Sequence, residues 1–364
     1  MLKRLAVAAA FVLVACNDPQ ANPTGPSDDI VVLPHPLYLY SATEVGLMPG
    51  GTFSTATAIN SAGTIVGQAD HCTALLFNGH LVSLCSTTGY YKTSGGTMKA
   101  IPMLPGHVTA TATGITDAGI IVGWSRPSGG FPVPSGWFYD PATNHLESIP
   151  SISGGGVVAN AAASNGWVTG TRTNGVTLAP TAFRFSVNTH FLEDLTPAGF
   201  AGSEGYAIDV VGDVGGMVYT ATAGVTHGFA WYGGGSTQDL TALESSVPYA
   251  TAINGVVVGP FKPYDGVTPR VFSYMIGGSL GDIGAGINRY PTAISSLGRL
   301  VGYGTTSTHT PFTFYNTVSS SLPTVNALHD VAPAALNRCG TIVGTGYDAA
   351  WRTHAIVWSK LSCD

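Results

Sequence analysis

A ten-residue phrase, Ala58-Ile59-Asn60-Ser61-Ala62-Gly63-Thr64-Ile65-Val66-Gly67, returns six more times along this chain. The later copies occupy 114–123, 161–170, 207–216, 252–259 (two residues shorter), 293–302 and 335–344. Their closing residues, Gly67, Gly123, Gly170, Gly216, Gly259, Gly302 and Gly344, stand 56, 47, 46, 43, 43 and 42 residues apart. Self-similarity at a period of ~40–50 residues marks a solenoid or a propeller, in which each unit buries its apolar face only against its neighbours. The period therefore overrides the two or three domains that 364 residues would otherwise suggest.

Each unit reads as four short strands. The first runs into a glycine-bearing turn, and an Ile-Val-Gly-like second strand follows, so the pair forms a hairpin. The third is an apolar residue, a variable residue and an aromatic: Leu75-Leu76-Phe77, Trp137-Phe138-Tyr139, Phe183-Arg184-Phe185, Phe229-Ala230-Trp231, Phe272-Ser273-Tyr274, Phe312-Thr313-Phe314 and Ile356-Val357-Trp358. Period-2 spacing puts the large residues on one face, to pack on a neighbouring sheet. Leu84, Ile149, Leu195, Leu240, Ile283 and Val325 mark the fourth strand.

Four-stranded units of this length, without an amphipathic helix, predict an all-β chain: a seven-bladed β-propeller of four-stranded antiparallel blades. Only six residues follow Trp358, so the last unit lacks a fourth strand. Glu44-Val45-Gly46-Leu47 matches Asp282-Ile283-Gly284 and Asp239-Leu240. The N-terminal strand is expected to complete the last blade and close the ring, removing two sheet edges. The propeller then spans 37–364.

Lys3 and Arg4 precede eleven apolar residues, too few for a stable span, which reads as an export signal over 1–15. Leu13-Val14-Ala15-Cys16 resembles the bacterial lipoprotein signal, which implies lipid attachment at Cys16. Residues 16–36, rich in Asn, Pro, Asp, Gly and Ser, suit a flexible tether. The repeat resembles the HAF-repeat family of predicted extracellular proteins over about residues 37–360. The resemblance rests on Ile-Asn-x-x-Gly-x-Ile-Val-Gly and the following apolar–aromatic strand. The namesake triplet is degenerate, with His354-Ala355-Ile356 and His227-Gly228-Phe229 nearest to it. That resemblance implies a repeat scaffold at the cell exterior rather than an activity, and it carries over no catalytic residues.

Charged residues are only 9% and the net charge is −6 without a basic block, which argues against a nucleic-acid partner. No metal-ligand spacing, nucleophile elbow or phosphate loop is present, so neither metal nor cofactor is expected. His227 and His354 sit at equivalent places and read as local backbone partners. Glu44, Asp194, Asp239 and Asp282 recur before the fourth strand and read as caps on turn N–H groups. Asp209 and Asp213 form a weak pair without a calcium-loop pattern. Four cysteines remain beyond Cys16, and the expected pairs are Cys72–Cys85 and Cys339–Cys363. For the first pair, an Asn78-Gly79 turn places Phe77 opposite His80 and Cys72 opposite Cys85.

The loops between strands two and three, and those between units, should open on one face, opposite the tight one–two turns. Tyr91 (in an insertion at 86–108), Trp124, Arg126, Lys262, Tyr264, Arg289, Tyr290, Tyr347, Trp351 and Arg352 collect there. Trp, Tyr and Arg dominate interface energetics, so this face is the candidate binding surface, for a protein or a glycan. The expected function is a non-catalytic binding or scaffold module at the cell envelope, held to a membrane only through its N-terminal lipid. The rivals are a purely structural envelope component and a polysaccharide-acting enzyme, for which Asp70/His71 and Asp348/Arg352 are the only candidates.

Overall fold

A computed structural model describes residues 40–360, apart from 79, 130–132, 223–224, 234, 241–249, 253–255, 262–269, 275–280, 283–287, 296–297, 306–307, 316–317 and 326. Cys16, the signal, the tether, Lys262, Tyr264 and Cys363 lie outside the described residues. The described chain is all-β: five four-stranded antiparallel sheets and one sheet of eight strands. The eight-stranded sheet joins the first two repeat units through one parallel bridge, Thr87 to Thr109. The sheets thus number six among the described residues, where the sequence predicts seven separate blades.

Both glycines of the repeat have a physical reason. The first, as in Gly63, Gly119, Gly166, Gly212, Gly298 and Gly340, has φ between +77° and +102° in the turn after the first strand, where a Cβ is disfavoured. In five of these six turns the residue three positions earlier is polar and closes the turn; before Gly166 that place is taken by Ala163. Asn60 Oδ1 accepts from the Thr64 N–H at 2.9 Å, Thr116 Oγ1 from Ile120 at 3.0 Å and Asn337 Oδ1 from Thr341 at 3.0 Å. The closing glycine needs room instead. Gly67, Gly123, Gly170, Gly216, Gly259, Gly302 and Gly344 pair with Tyr90, Trp137, Phe183, Phe229, Phe272, Phe312 and Ile356 on the third strand. On its other side, a Cβ at Gly67 would overlap the carbonyl oxygen of Thr55, and one at Gly123 that of Thr111.

That crowding comes from a β-bulge in the first strand, where one extra residue bends the backbone. The extra residues are Thr57, Thr113, Asn160, Tyr206, Thr292 and Ala334. The unit with the shortened copy, Ala250–Ala252 against Val256–Phe261, pairs without a shift. Three bulged side chains tie one unit to the next. Thr57 Oγ1 donates to the Ala112 carbonyl at 2.7 Å, Thr113 Oγ1 to Ala159 at 2.8 Å and Asn160 Nδ2 to Gly205 at 2.7 Å.

The core lies between successive sheets. Val122 and Phe138 of the second unit pack with Val157, Phe183 and Phe185 of the third. The fourth strand docks by a recurring contact, in which the N–H of a buried apolar residue reaches a third-strand carbonyl. Ile149 bonds Gly136, Leu195 bonds Ala182, Leu240 bonds Gly228 and Leu322 bonds Pro311. Val45 makes the same contact with Ala355 at 2.8 Å. Tyr40–Glu44 pairs antiparallel with Thr353–Lys360 as the outer strand of the last sheet. Val45 and Ala355 share a core cluster with Ala56, Ile59 and Ile65 of the first unit, so the first and last described strands meet beside the first unit.

The first unit departs from the sequence reading. Its third strand is not Leu75-Leu76-Phe77 but the stretch around Tyr90, which is fully buried opposite Gly67. Its fourth is Lys99–Ala100 followed by buried Ile101, not Leu84. Ile65–Phe77 and His80–Lys92 form one long ribbon of two thirteen-residue strands, and its far half, including Phe77 (67% exposed), runs out beyond the sheet. The apolar–aromatic triplet was imitated by a projecting hairpin. The turn pairing is as expected: Phe77 opposes His80, and Cys72 is disulfide-bonded to Cys85. The bond clamps extensions of strands two and three, rather than strands three and four. Cys339 is also disulfide-bonded, to a partner outside the described residues.

Candidate functional site

The first strands line a central channel. Thr57, Thr113, Asn160, Tyr206, Thr292 and Ala334 border a cavity of about 290 Å³. At the tight-turn end, Asn60, Asp117, Asp209, Ser295 and Asn337 border one of about 460 Å³. Many of these polar groups are already used. Asn60 Nδ2 donates to the Thr116 carbonyl at 3.1 Å, and Asn337 Nδ2 to that of Asn60 at 3.1 Å. Asp209 accepts from the N–H groups of Val211 and Asp213, and Asp213 from that of Gly233. The Asp209–Asp213 pair therefore organises turns.

The opposite face assembles more chemistry. In the sixth unit, Tyr290 stacks on Tyr303 with centroids 5.5 Å apart, and Tyr303 meets His309 at 4.5 Å. The His309 N–H donates to Asp330 Oδ1 at 2.9 Å, and Asp330 Oδ2 lies 3.2 Å from His329 Nδ1. His329 then meets Trp351 edge-on at 4.7 Å, and Trp351 meets Tyr347 at 5.9 Å. A ridge of aromatic and imidazole rings thus crosses from the sixth unit to the seventh. Trp351 is 68% exposed and has φ +60°; a non-glycine residue there stores roughly 1–3 kcal/mol of strain. The Trp351 turn is held by Asp348, whose carboxylate takes the Ala350 and Arg352 N–H groups and two guanidinium contacts at 2.7–2.8 Å. The Arg352 backbone N–H, followed by its guanidinium, holds the Asp348 carboxyl well below the usual carboxylate range. The His309 N–H and the His329 ring lower the Asp330 carboxyl.

Of the residues expected on this face, Arg289, Tyr290, Tyr347, Trp351 and Arg352 lie in or beside the ridge. Arg289 covers the Phe312 ring at 4.5 Å. Trp124 and Arg126 stand apart at the end of the strand Ile121–Pro127, with the guanidinium 4.8 Å from the indole. Tyr91 is not in a loop: it is part of the first sheet and packs against Tyr139 at 6.4 Å. Sequence reasoning missed Tyr303, His309, His329 and Asp330. Their proximity depends on the contact between two units, which no local pattern encodes.

Three of the four recurring carboxylates meet basic side chains instead of capping turns, and the side chain of Asp282 lies outside the described residues. Asp194 meets Arg172 at 2.7 Å, Asp239 meets His227 at 3.3 Å, and Glu44 meets His354 at 3.1 Å. His227 and His354 accordingly serve carboxylates, not backbone groups. Asp70 is spent as well. Burial alone would raise its carboxyl, but the Phe53 N–H, the Thr52 hydroxyl and the Thr52 N–H together hold it low. Glu204 accepts from the Tyr206 and Tyr219 hydroxyls, each at 2.6 Å. Burial, with Glu204 alongside, pushes the Tyr219 hydroxyl up to about 12. Among the described residues, no three His, Cys, Asp or Glu side chains converge as a metal site would require.

No protein-family model matches the chain, and no curated protein matches it. Among solved structures it is similar to the β-propeller domain of the Trilobed protease from Pyrococcus furiosus, a propeller described as having an open velcro topology. The identity is 10% and the TM-score 0.59, over 86% of this chain and 96% of that one. It is also similar to Pyrococcus horikoshii acylaminoacyl peptidase, at 11% identity and a TM-score of 0.54, covering 85% of this chain and 52% of that one. At such identities the likeness speaks for architecture alone: this chain has an all-β propeller fold.

Proposed function

We propose that the chain is an exported, lipid-anchored, non-catalytic propeller of seven blades, which acts as a binding or scaffold module at the cell envelope through its long-loop face. The blade count follows the seven repeats and treats the lone Thr87–Thr109 bridge as a junction between two blades. The HAF-like pattern of the repeat favours an extracellular scaffold. A disulfide at Cys72–Cys85 suits an oxidising compartment. We pair Cys339 with Cys363, which leaves Cys16 for lipid; peptide mapping under non-reducing conditions checks both assignments. The non-catalytic reading leans on Asp70 and Asp348, whose oxygens are already committed to hydrogen bonds.

The observation that carries the reading is the ridge from Tyr290 to Trp351, which ends on an exposed tryptophan held in a strained turn. Anchors of this kind typically cost ~2 kcal/mol or more of binding when truncated. Capture of envelope proteins and glycans by the immobilised protein is the test. Trp351→Ala and Tyr290→Ala should each weaken capture, with unchanged melting, whereas Asn165→Ala on the tight-turn side should not. Equal capture by all of these variants removes the ridge from the interface.

A further inference from the structure

The exposed apolar side chains are distributed unevenly. Of the sixteen large apolar residues most exposed among the described ones, all but Phe191, Val211 and Val318 lie on the long-loop face. Six of them belong to the hairpin closed by Cys72–Cys85: Leu75, Leu76, Phe77, Leu81, Val82 and Leu84. Side chains alternate between faces along a strand. Leu76 and Leu81 therefore share one face of the hairpin, while Leu75, Phe77, Val82 and Leu84 occupy the other. The segment 72–85 contains no Asp, Glu, Lys or Arg. From the disulfide to Phe77 it extends roughly 17 Å at ~3.4 Å per residue. Monomeric soluble proteins rarely leave so much contiguous apolar surface uncovered.

We propose that this hairpin is a membrane-docking fin, which inserts its tip into the interfacial zone of a lipid bilayer. The proposal rests on the reading of the long-loop face as the binding face, and gives that face its partner. Three observations favour lipid. A fin that is apolar on both sides is poorly covered by one rigid protein surface, whereas a fluid layer covers both sides at once. Further apolar tips rise from the same face, including Val133, Val176, Leu178 and Trp351, and separate tips can meet a plane together. The fin between Cys72 and Cys85 carries no Asp, Glu, Lys or Arg, so none of its side chains has to bring a fixed charge into the headgroup layer. The outer edges of a two-stranded ribbon leave backbone groups unpaired, which excludes the hydrocarbon core. Insertion therefore stops in the headgroup and upper acyl region, ~5–10 Å deep. The disulfide at the base keeps the strands paired while the tip is immersed.

The test uses the full chain carrying Cys16→Ser, which removes the proposed lipid, and vesicles of phosphatidylethanolamine and phosphatidylglycerol. The protein should cosediment with vesicles in both low and high salt. Adding Leu76→Ser and Leu81→Ser should weaken partitioning about tenfold or more, since each removes a mostly exposed leucine from the inserted surface. Phe191→Ser with Val318→Ser should change nothing. Three results overturn the fin: Cys16→Ser protein that stays in the supernatant, binding lost in high salt, or a concentration-dependent dimer abolished by the leucine changes, which would make a second copy the occupant. If envelope capture still depends on Trp351 in any of these cases, the binding face stands and only its lipid partner falls.

Discussion

Replacing either repeat glycine with alanine in the second unit separates two kinds of constraint. Gly119 has φ +88° and open space where a Cβ would stand. Alanine there costs ~1–2 kcal/mol of left-handed strain, offset by ~0.4–1 kcal/mol from the stiffer unfolded chain. The net loss should be about 1 kcal/mol. Gly123 has an ordinary φ, so the same offset applies without the strain. Yet its Cβ would overlap the Thr111 carbonyl oxygen and stand 2.6 and 2.8 Å from two ring atoms of buried Trp137. The backbone cannot yield without undoing the bulge, and overpacking of this kind costs ~1–3 kcal/mol, occasionally more. Misfit of a buried tryptophan adds to that, so we expect about 3–5 kcal/mol in total. Urea midpoints would read the difference, with Gly95→Ala, at φ +70° in open space, as a reference for strain alone. Adding Trp137→Phe should recover part of the Gly123→Ala loss, because it removes the ring overlap but not the carbonyl overlap. A Gly123→Ala midpoint equal to or above that of Gly119→Ala refutes this account of the repeat.

Two further outcomes follow from the closing strand and the acid-side network. Deleting 17–34 should leave the melting temperature unchanged, whereas deletion through Leu47 should lower it, since it strips the partner of Thr353–Lys360 and buried Val45; equal melting would argue against closure. Asp330 and Asp348 have depressed folded-state pKa values. Their stabilisation is present above the unfolded value near 3.8 and is lost as pH falls below it. Melting of the parent protein should therefore drop more steeply below about pH 4 than that of Asp348→Asn, and parallel curves would count against this role.

What the sequence revealed and what it concealed have separate physical causes. The hairpin of strands one and two was legible because most copies restate the same turn, cap and close-packed glycine. Closure was legible because Glu44-Val45 repeats the docking contact of the other fourth strands. The first unit misled because Leu75-Leu76-Phe77 satisfies the same period-2 pattern as a buried strand, and periodicity does not report which side of a sheet edge a residue lies on. One clue was present: the first interval, 56 residues, exceeds the later 42–47. The excess sits between strands two and three, where the ribbon grows outward. The Tyr290–Trp351 ridge was only half legible. Its exposed members announced themselves as loop aromatics, but His309, Asp330 and His329 connect through a contact between units that sequence spacing does not record.

The pairing of Tyr40–Glu44 with Thr353–Lys360 also has a kinetic meaning. Contacts between the two ends are among the costliest in loop entropy and tend to form late. At ~5–20 residues per second, roughly 15–65 s separate the synthesis of Tyr40 from that of Lys360. For that interval the first strand has no partner, and an apolar residue such as Val45 that is later buried stays open to wrong pairings. The units between them can form their hairpins from neighbouring residues as they emerge. The ring can lock only after the last strand arrives, so a chain truncated near its end would keep most of its sheets and still carry two adhesive edges.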